Sequence, residues 1–229
     1  MSKFSIIIPT LLYREDILKV CLDVIVSDSL VGEVIIINNS TKDFAYSSSK
    51  VSVYKQEENL FVNKSWNLGV SLAKNDYICL LNDDTIPCKD FFSKFHSLGF
   101  IDKDDYGLFG IGYDTLPDFG DNEDDLSVPV STGVISWSGI PHEDLLGDWG
   151  ICIMGRKENF YEIPEELKII FGDNYLVYKN KQKGKENLMI YGLAIKHIHS
   201  GTVRNKEFEQ IVIQDLDIWG EKKEKFLQE

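Results

Sequence analysis

The 229-residue sequence has no long apolar run. Its apolar blocks, such as Ile6-Ile7-Ile8 and Ile35-Ile36-Ile37, fall far short of the roughly 18–20 residues of a membrane-spanning helix. No transmembrane segment is expected. Met1-Ser2-Lys3-Phe4 enters a strand-like run directly, without the charged, apolar and small-residue order of a signal peptide. Positive charge is also scarce. There are 24 Lys and Arg against 37 Asp and Glu, a formal net charge of −13 with His neutral. That balance excludes a broad basic face for a nucleic-acid backbone and basic docking on an anionic membrane. The four cysteines, Cys21, Cys79, Cys88 and Cys152, show no C-x-x-C spacing and are expected as buried free thiols of a reducing compartment. Pro9 to Arg14 contains no glycine, so no G-x-G-x-x-G loop follows the first strand. Internal repeats and inter-domain linkers are absent too.

What is present is the composition of a globular chain, 43% hydrophobic and 27% charged. The length suits a single α/β domain over residues 1–229. Residues 4–8 form a buried strand that stops at Pro9. Ile17, Leu18, Cys21, Val24 and Ile25 recur at helical spacing. Glu33 to Ile37 and Val51 to Tyr54 are the next strands. Val62, Trp66, Val70 and Ala73 mark a helix that Asn63 caps. Tyr77 to Leu81 is a fourth strand, followed by a helix carrying Phe91, Phe92, Phe95 and Leu98. Further on, Gly150 to Met154 is strand-like, and one strand runs from Leu188 to Ile195 into His197-Ile-His199. Phe208, Ile211, Asp215 and Ile218 share one stripe of a C-terminal helix. Asp114 to Asp125 is expected as an acidic surface loop.

The β-α-β-β-α-β-α order of the first half predicts a mainly parallel sheet with helices on both faces. Ligands of such sheets bind beyond the carboxyl ends of the strands. Three strand ends here carry polar clusters: Pro9-Thr10, Asn38-Asn39-Ser40 and Asn82-Asp83-Asp84. Adjacent carboxylates on a sheet rim repel one another unless a cation or a donor sits between them. Oxygen ligands of this kind suit Mg²⁺ or Mn²⁺, with Asp84 the leading ligand and a charged turn the plainer alternative. His197 and His199, two apart on a strand, share a face.

Together these clusters resemble a GT-A glycosyltransferase of family 2. The intervening Glu58 to Gly69 segment, with Asn63, Trp66 and Asn67, is similar to the family's Asn-rich entry into a helix. Its form here looks most like versions from phages and large DNA viruses. The resemblance covers residues 4–92 well and continues more weakly to about residue 204. It implies a GT-A fold with a nucleotide-sugar half at 1–100. The acceptor-binding and catalytic half, at 101–229, carries a smaller mixed sheet region. Pro9, Thr10, Asn38, Asn39, Asn63, Asn67, Asn82 and Asp83 would bind the donor. Asn63 and Asn67 would either touch the nucleoside or fix the loop around it. Asn38 stands where the family usually has an Asp that reads the base, commonly uracil, and an amide both donates and accepts. Asn82-Asp83-Asp84 takes the place of the D-x-D motif, with Asp84 holding the metal.

Gly150 to Arg156 followed by Phe171-Gly-Asp-Asn174 resembles the family's acceptor half, which makes Asp173 the catalytic base. A helix-start acid is the alternative, with Asp148 and Asp144 as substitutes. His197-Ile-His199-Ser-Gly-Thr202 resembles an element that closes over the diphosphate, with His197 at the metal, His199 in reserve, and Ser200 or Thr202 near phosphate. Arg204 would neutralise phosphate charge or face solvent. The implied activity is metal-dependent, inverting transfer of a sugar from a nucleotide-diphosphate donor, UDP by resemblance, to a carbohydrate hydroxyl. Mn²⁺ or Mg²⁺ would be the cofactor and nucleic acid no partner. A soluble cytoplasmic location is expected, the host cytoplasm if the source is viral. A sugar-phosphate nucleotidyltransferase would need a Gly-rich basic loop after strand one, where Pro9 to Arg14 stands. A non-catalytic sugar-binding domain would leave the acidic clusters as solvated surface.

Overall fold

The computed structural model describes residues 2–112, 124–139, 149–198 and 206–228. The first strand, β1 (Phe4–Thr10), alternates its faces with period two, as a strand buried on both sides must. Phe4, Ile6 and Ile8 join one apolar cluster and Ile7 the other. The helix α1 (Glu15–Ser27) leads to β2 (Val31–Asn38) and β3 (Val51–Lys55). The same alternation recurs in β2, where Val34 and Ile36 face one cluster and Ile35 and Ile37 the other. Next come α2 (Phe61–Leu72), β4 (Tyr77–Leu81), β5 (Thr85–Pro87) and α3 (Phe91–His96). The chain continues through β6 (Tyr106–Ile111), β7 (Ser136–Gly139), β8 (Cys152–Arg156), α4 (Gly172–Gln182), β9 (Glu186–Tyr191), β10 (Ile195–His197) and α5 (Glu209–Gln228).

Among the described residues the large sheet has eight strands in the order β3-β2-β1-β4-β8-β6-β9-β7. Strands β3, β2, β1 and β4 run parallel to one another. Strand β8 is antiparallel to both β4 and β6, and β9 returns parallel to β6. A separate pair, β5 and β10, runs antiparallel. Helices α1 and α3 cover one face, where Leu18, Leu22, Phe91, Phe92 and Phe95 pack on Phe4 and Ile6. Helices α2, α4 and α5 cover the other through Trp66, Tyr175, Leu176 and Phe226.

Several sequence expectations change here. The strand expected from Leu188 to His197 is two strands in two different sheets. Gly192, at φ 81°, breaks it with a backbone conformation that L side chains rarely adopt. Asn63 does not cap α2 but lies within its first turn. The cap bonds come from further upstream: Asn59 Oδ1 accepts from the Phe61 N–H at 2.8 Å, and Asn39 Oδ1 from the Leu60 N–H at 3.1 Å. Strands β5, β6 and β7 were not expected. β5 has only three residues, and β7 is wholly exposed, so neither carries an apolar alternation. The four cysteines are free and buried. Burial pushes the Cys21 and Cys79 thiols up, away from reactive thiolate. Of the acidic loop, residues 114–123 lie outside the described residues. Its end is tied down: buried Lys196 donates to the Asp125 carbonyl at 2.8 Å and pairs with the Asp125 carboxylate at 3.0 Å.

Candidate active site

The parallel strands β1, β2 and β4 end on one rim, and their polar ends meet there. The Thr10 hydroxyl donates to Asp83 Oδ2 at 2.5 Å and accepts from the Leu12 N–H at 2.9 Å. That second bond bends the chain off the sheet, with Leu12 buried at φ 56°. A non-glycine residue in that region is held against local strain. Burial first, and then the Asp84 carboxylate, push the Asp83 carboxyl up to about 7, while the Thr10 hydroxyl pulls it down.

Asp84 is the last residue before β5, and the β5–β10 ladder decides what it faces. The Asp84 carbonyl accepts from the Ile198 N–H at 2.8 Å, and Thr85 stands opposite His197. That register brings His197 Nε2 to 3.3 Å from Asp84 Oδ1, with both side chains largely buried. A carboxylate oxygen and an imidazole nitrogen form a donor pair that fits Mn²⁺. Among the described residues no group of three or more His, Cys, Asp and Glu side chains comes together as a metal cage. Two protein ligands suit a cation that takes its other ligands from substrate phosphates and water.

Asn82 links this rim to the acceptor-side elements. Its N–H donates to the Ile151 carbonyl at 3.0 Å. Ile151 follows Gly150 in a single tight turn ahead of β8. Asp173 Oδ2 lies 3.7 Å from the point where a Gly150 side chain would begin, and the far edge of Trp66 lies 3.9 Å from it. Asp173 is half-buried in the first turn of α4, and its Oδ1 accepts from the Asn174 N–H. Gly150 and Ile151 thus connect it to Asn82 of the strand-end cluster.

The amides divide by role. Asn38 is fully buried and spends its side chain on its own turn, accepting from the Ser40 N–H and donating to the Lys42 carbonyl. Asn39 joins β2 to α2, donating to Ser65 Oγ at 2.9 Å. Asn63 donates to the carbonyls of Leu167 and Ile170, both at 3.1 Å. Asn67 exchanges two bonds with the Ile163 backbone. Both side chains thus bond the backbone of the 163–170 segment. Gly172 is required by the same clamp, because a Cβ there would sit 2.1 Å from Asn63 Oδ1. His199, Ser200, Thr202, Arg204, Asp144 and Asp148 lie outside the described residues.

A narrow cavity opens beside Pro9, Thr10, Asn39 and Asp83 and is walled by Tyr13, Asn59, Phe61, Ile169 and Phe208. Sequence reasoning missed Asn59, Phe61, Ile169 and Phe208 among these wall residues. Asn59 had a signal, a side chain placed two residues before a helix start. The aromatic and aliphatic walls come from four separate elements, and no local pattern joins them.

The family model described as Glycosyl transferase family 2 matches residues 5–126, more than half of the chain. No curated protein matches the sequence. Among solved structures, the chain is similar to a mannosyltransferase from Pyrobaculum calidifontis in complex with GDP-Man and Mn²⁺. The TM-score there is 0.64 at 10% identity, covering 93% of this chain and 60% of that one. It is also similar to S. aureus TarS residues 1–349, with TM-score 0.59, 19% identity, and 95% and 65% coverage. GalNAc-T7 with UDP, GalNAc and Mn²⁺ gives TM-score 0.63, 14% identity, and 87% and 44% coverage. The chain thus spans less than two thirds of the length of each of these structures. At these identities the likeness is one of fold. No helix among the described residues is long and apolar enough to cross a membrane.

Proposed function

The chain belongs to glycosyl transferase family 2, and from that premise we propose that it transfers a sugar from a nucleotide-diphosphate donor to a hydroxyl of a carbohydrate acceptor, inverting the anomeric centre. The observation that carries this reading is the meeting of Asp84 and His197 beside the Thr10–Asp83 contact, on the rim where the parallel strands end. The neighbouring structures hold UDP or GDP-mannose with Mn²⁺, which supports a divalent cation and a nucleotide donor here. UDP is the first donor to test.

The donor's nucleoside end occupies the cavity beside Thr10 and Asn39. Asp84 and His197 would hold a divalent cation, which would supply countercharge to the diphosphate leaving group. Asp173 accepts the acceptor's proton as the hydroxyl oxygen attacks the anomeric carbon. The bond from that carbon to the diphosphate oxygen breaks, and its electron pair leaves with the diphosphate. One displacement inverts the centre and needs no covalent intermediate. Asn38 contributes by shaping the 38–42 turn, since its side-chain bonds are made within that turn. The chain works as one unit in this reading, residues 1–100 binding the donor and residues 101–229 the acceptor.

A thermal-shift panel of UDP, GDP, dTDP and CMP, with and without Mn²⁺, tests the reading. Stabilisation by at least one nucleotide only when Mn²⁺ is present is expected. No stabilisation by any of them with metal would overturn the proposal.

A further inference from the structure

One polar residue falls on the apolar stripe of α5, alongside Phe208, Ile211 and Ile218. Asp215 is fully buried there. Its carboxylate has no place in the proposed chemistry, yet it gathers a row of backbone donors. Asp215 Oδ2 accepts from the N–H groups of Lys168 at 3.1 Å, Ile169 at 2.7 Å and Ile170 at 3.0 Å, and Oδ1 accepts from Lys168 at 3.0 Å. Successive N–H groups converging on one carboxylate make an anion-holding concavity. Its bonds are of the stronger, charge-assisted kind.

The far side of the same segment reaches the donor cavity. The Lys168 carbonyl accepts from the N–H groups of Val62 and Asn63, both at 3.0 Å, at the start of α2. Asn63 grips the Leu167 and Ile170 carbonyls. Ile169 itself is a wall of the cavity, and Phe61 and Val62 are others. Phe61 holds φ 57°, a strained backbone that its surroundings must fix. Phe208, just ahead of α5, packs edge-on against the Phe61 ring with centroids 6.2 Å apart and closes the same cavity. Asp215 thus sits behind one wall of the pocket, on the helix that directly follows Phe208, another of its walls.

The geometry points to Asp215 as a positioning residue for nucleotide binding, setting Ile169, Phe61 and Val62 at the height the donor needs through residues 168–170. This inference rests on the donor-site reading above. A buried carboxylate serving stability alone would hold α5 to the protein and leave affinity untouched. A positioning carboxylate couples the two, and coupling is reciprocal.

The test uses the whole chain with Mn²⁺ and UDP or GDP, whichever wild type binds. Calorimetric affinity is measured for wild type, Asp215→Asn and Asp217→Asn, an exposed control on the same helix, below the unfolding temperature of each. Asp215→Asn is expected to weaken binding by about tenfold, the effect of roughly one charge-assisted hydrogen bond, and Asp217→Asn to leave it unchanged. Folded Asp215→Asn with wild-type affinity overturns the inference. Should that variant not fold, amide exchange in wild type decides. Nucleotide binding is expected to slow exchange at Lys168, Ile169 and Ile170, and unchanged exchange there while the nucleotide binds overturns the inference. If wild type binds no nucleotide of the panel, the donor reading fails and the inference falls with it. If wild type binds and the two measurements above fail, only the inference falls.

Discussion

His197 Nε2 stands 3.3 Å from Asp84 Oδ1, although the two residues belong to opposite halves of the chain. The β5–β10 ladder makes the pair, by setting His197 opposite Thr85 and tying the Ile198 N–H to the Asp84 carbonyl. The first prediction follows from this contact. Asp84→Ala is expected to abolish Mn²⁺-dependent nucleotide stabilisation, because it removes the carboxylate ligand. His197→Ala is expected to weaken that stabilisation. Melting temperatures with UDP, with and without Mn²⁺, check both, and stabilisation that persists in Asp84→Ala removes Asp84 from the site.

Asp173 is expected to separate binding from transfer. Asp173→Asn keeps the side chain's shape beside Gly150 but loses its basicity. Donor affinity should stay at the wild-type level while transfer falls by about 10²–10⁴, the usual worth of a positioned general base. Calorimetry with the donor and a transfer assay on the same sample give the two numbers. Normal transfer by Asp173→Asn would place the base elsewhere.

The Asp83 carboxyl, pushed up to about 7 by burial and by Asp84, makes a pH prediction for metal-free protein. An unfolded aspartate titrates near 4. Between about pH 4 and pH 7 the folded state therefore binds more protons than the unfolded state. Stability contributed by this group is present below that window and is lost as the pH rises through it. Melting temperature in chelator should fall with pH more steeply in wild type than in Asp83→Asn. Identical slopes for the two proteins would contradict the prediction.

Gly172 tests the clamp of α2 on the 163–170 segment. Gly172→Ala puts a methyl group 2.1 Å from Asn63 Oδ1. Relief requires Asn63 to turn away from the Leu167 and Ile170 carbonyls it bonds. The expected loss is about 1–3 kcal/mol, in the range of overpacking a tight core or orphaning a buried polar group. Urea denaturation measures it, and an unchanged midpoint would show that the segment yields without cost.

Much of this was legible in local pattern. The unbroken apolar run through Ile6, Ile7 and Ile8 marked β1 as a buried strand, and the helical spacing of Val62, Trp66, Val70 and Ala73 located α2 to within a residue or so at each end. Strand ends read at Ile8, Ile37 and Leu81 followed from where apolar runs stop; the strands run on to Thr10 and Asn38 in the first two and end at Leu81 in the third. The short β5 and the exposed β7 escaped, because three residues are too few to show a period and an exposed edge strand has too little burial to impose one. Asp215 stood on an apolar stripe as a visible mismatch, but its partner could not be read. Backbone N–H groups belong to every residue and carry no sequence signature.

The sequence by itself determined the layered α/β fold and the row of polar strand ends, since both depend on periodicity and on where an apolar run stops. Only the tertiary structure decided which of those polar groups meet. His197 faces Asp84 through the register of a three-residue ladder, Asp83 bonds Thr10 because β1 and β4 lie side by side, and Asn63 and Asn67 turn to the backbone of residues 163–170. Each contact joins residues far apart in the chain. Their distance is set by packing and strand register, which local propensity does not encode.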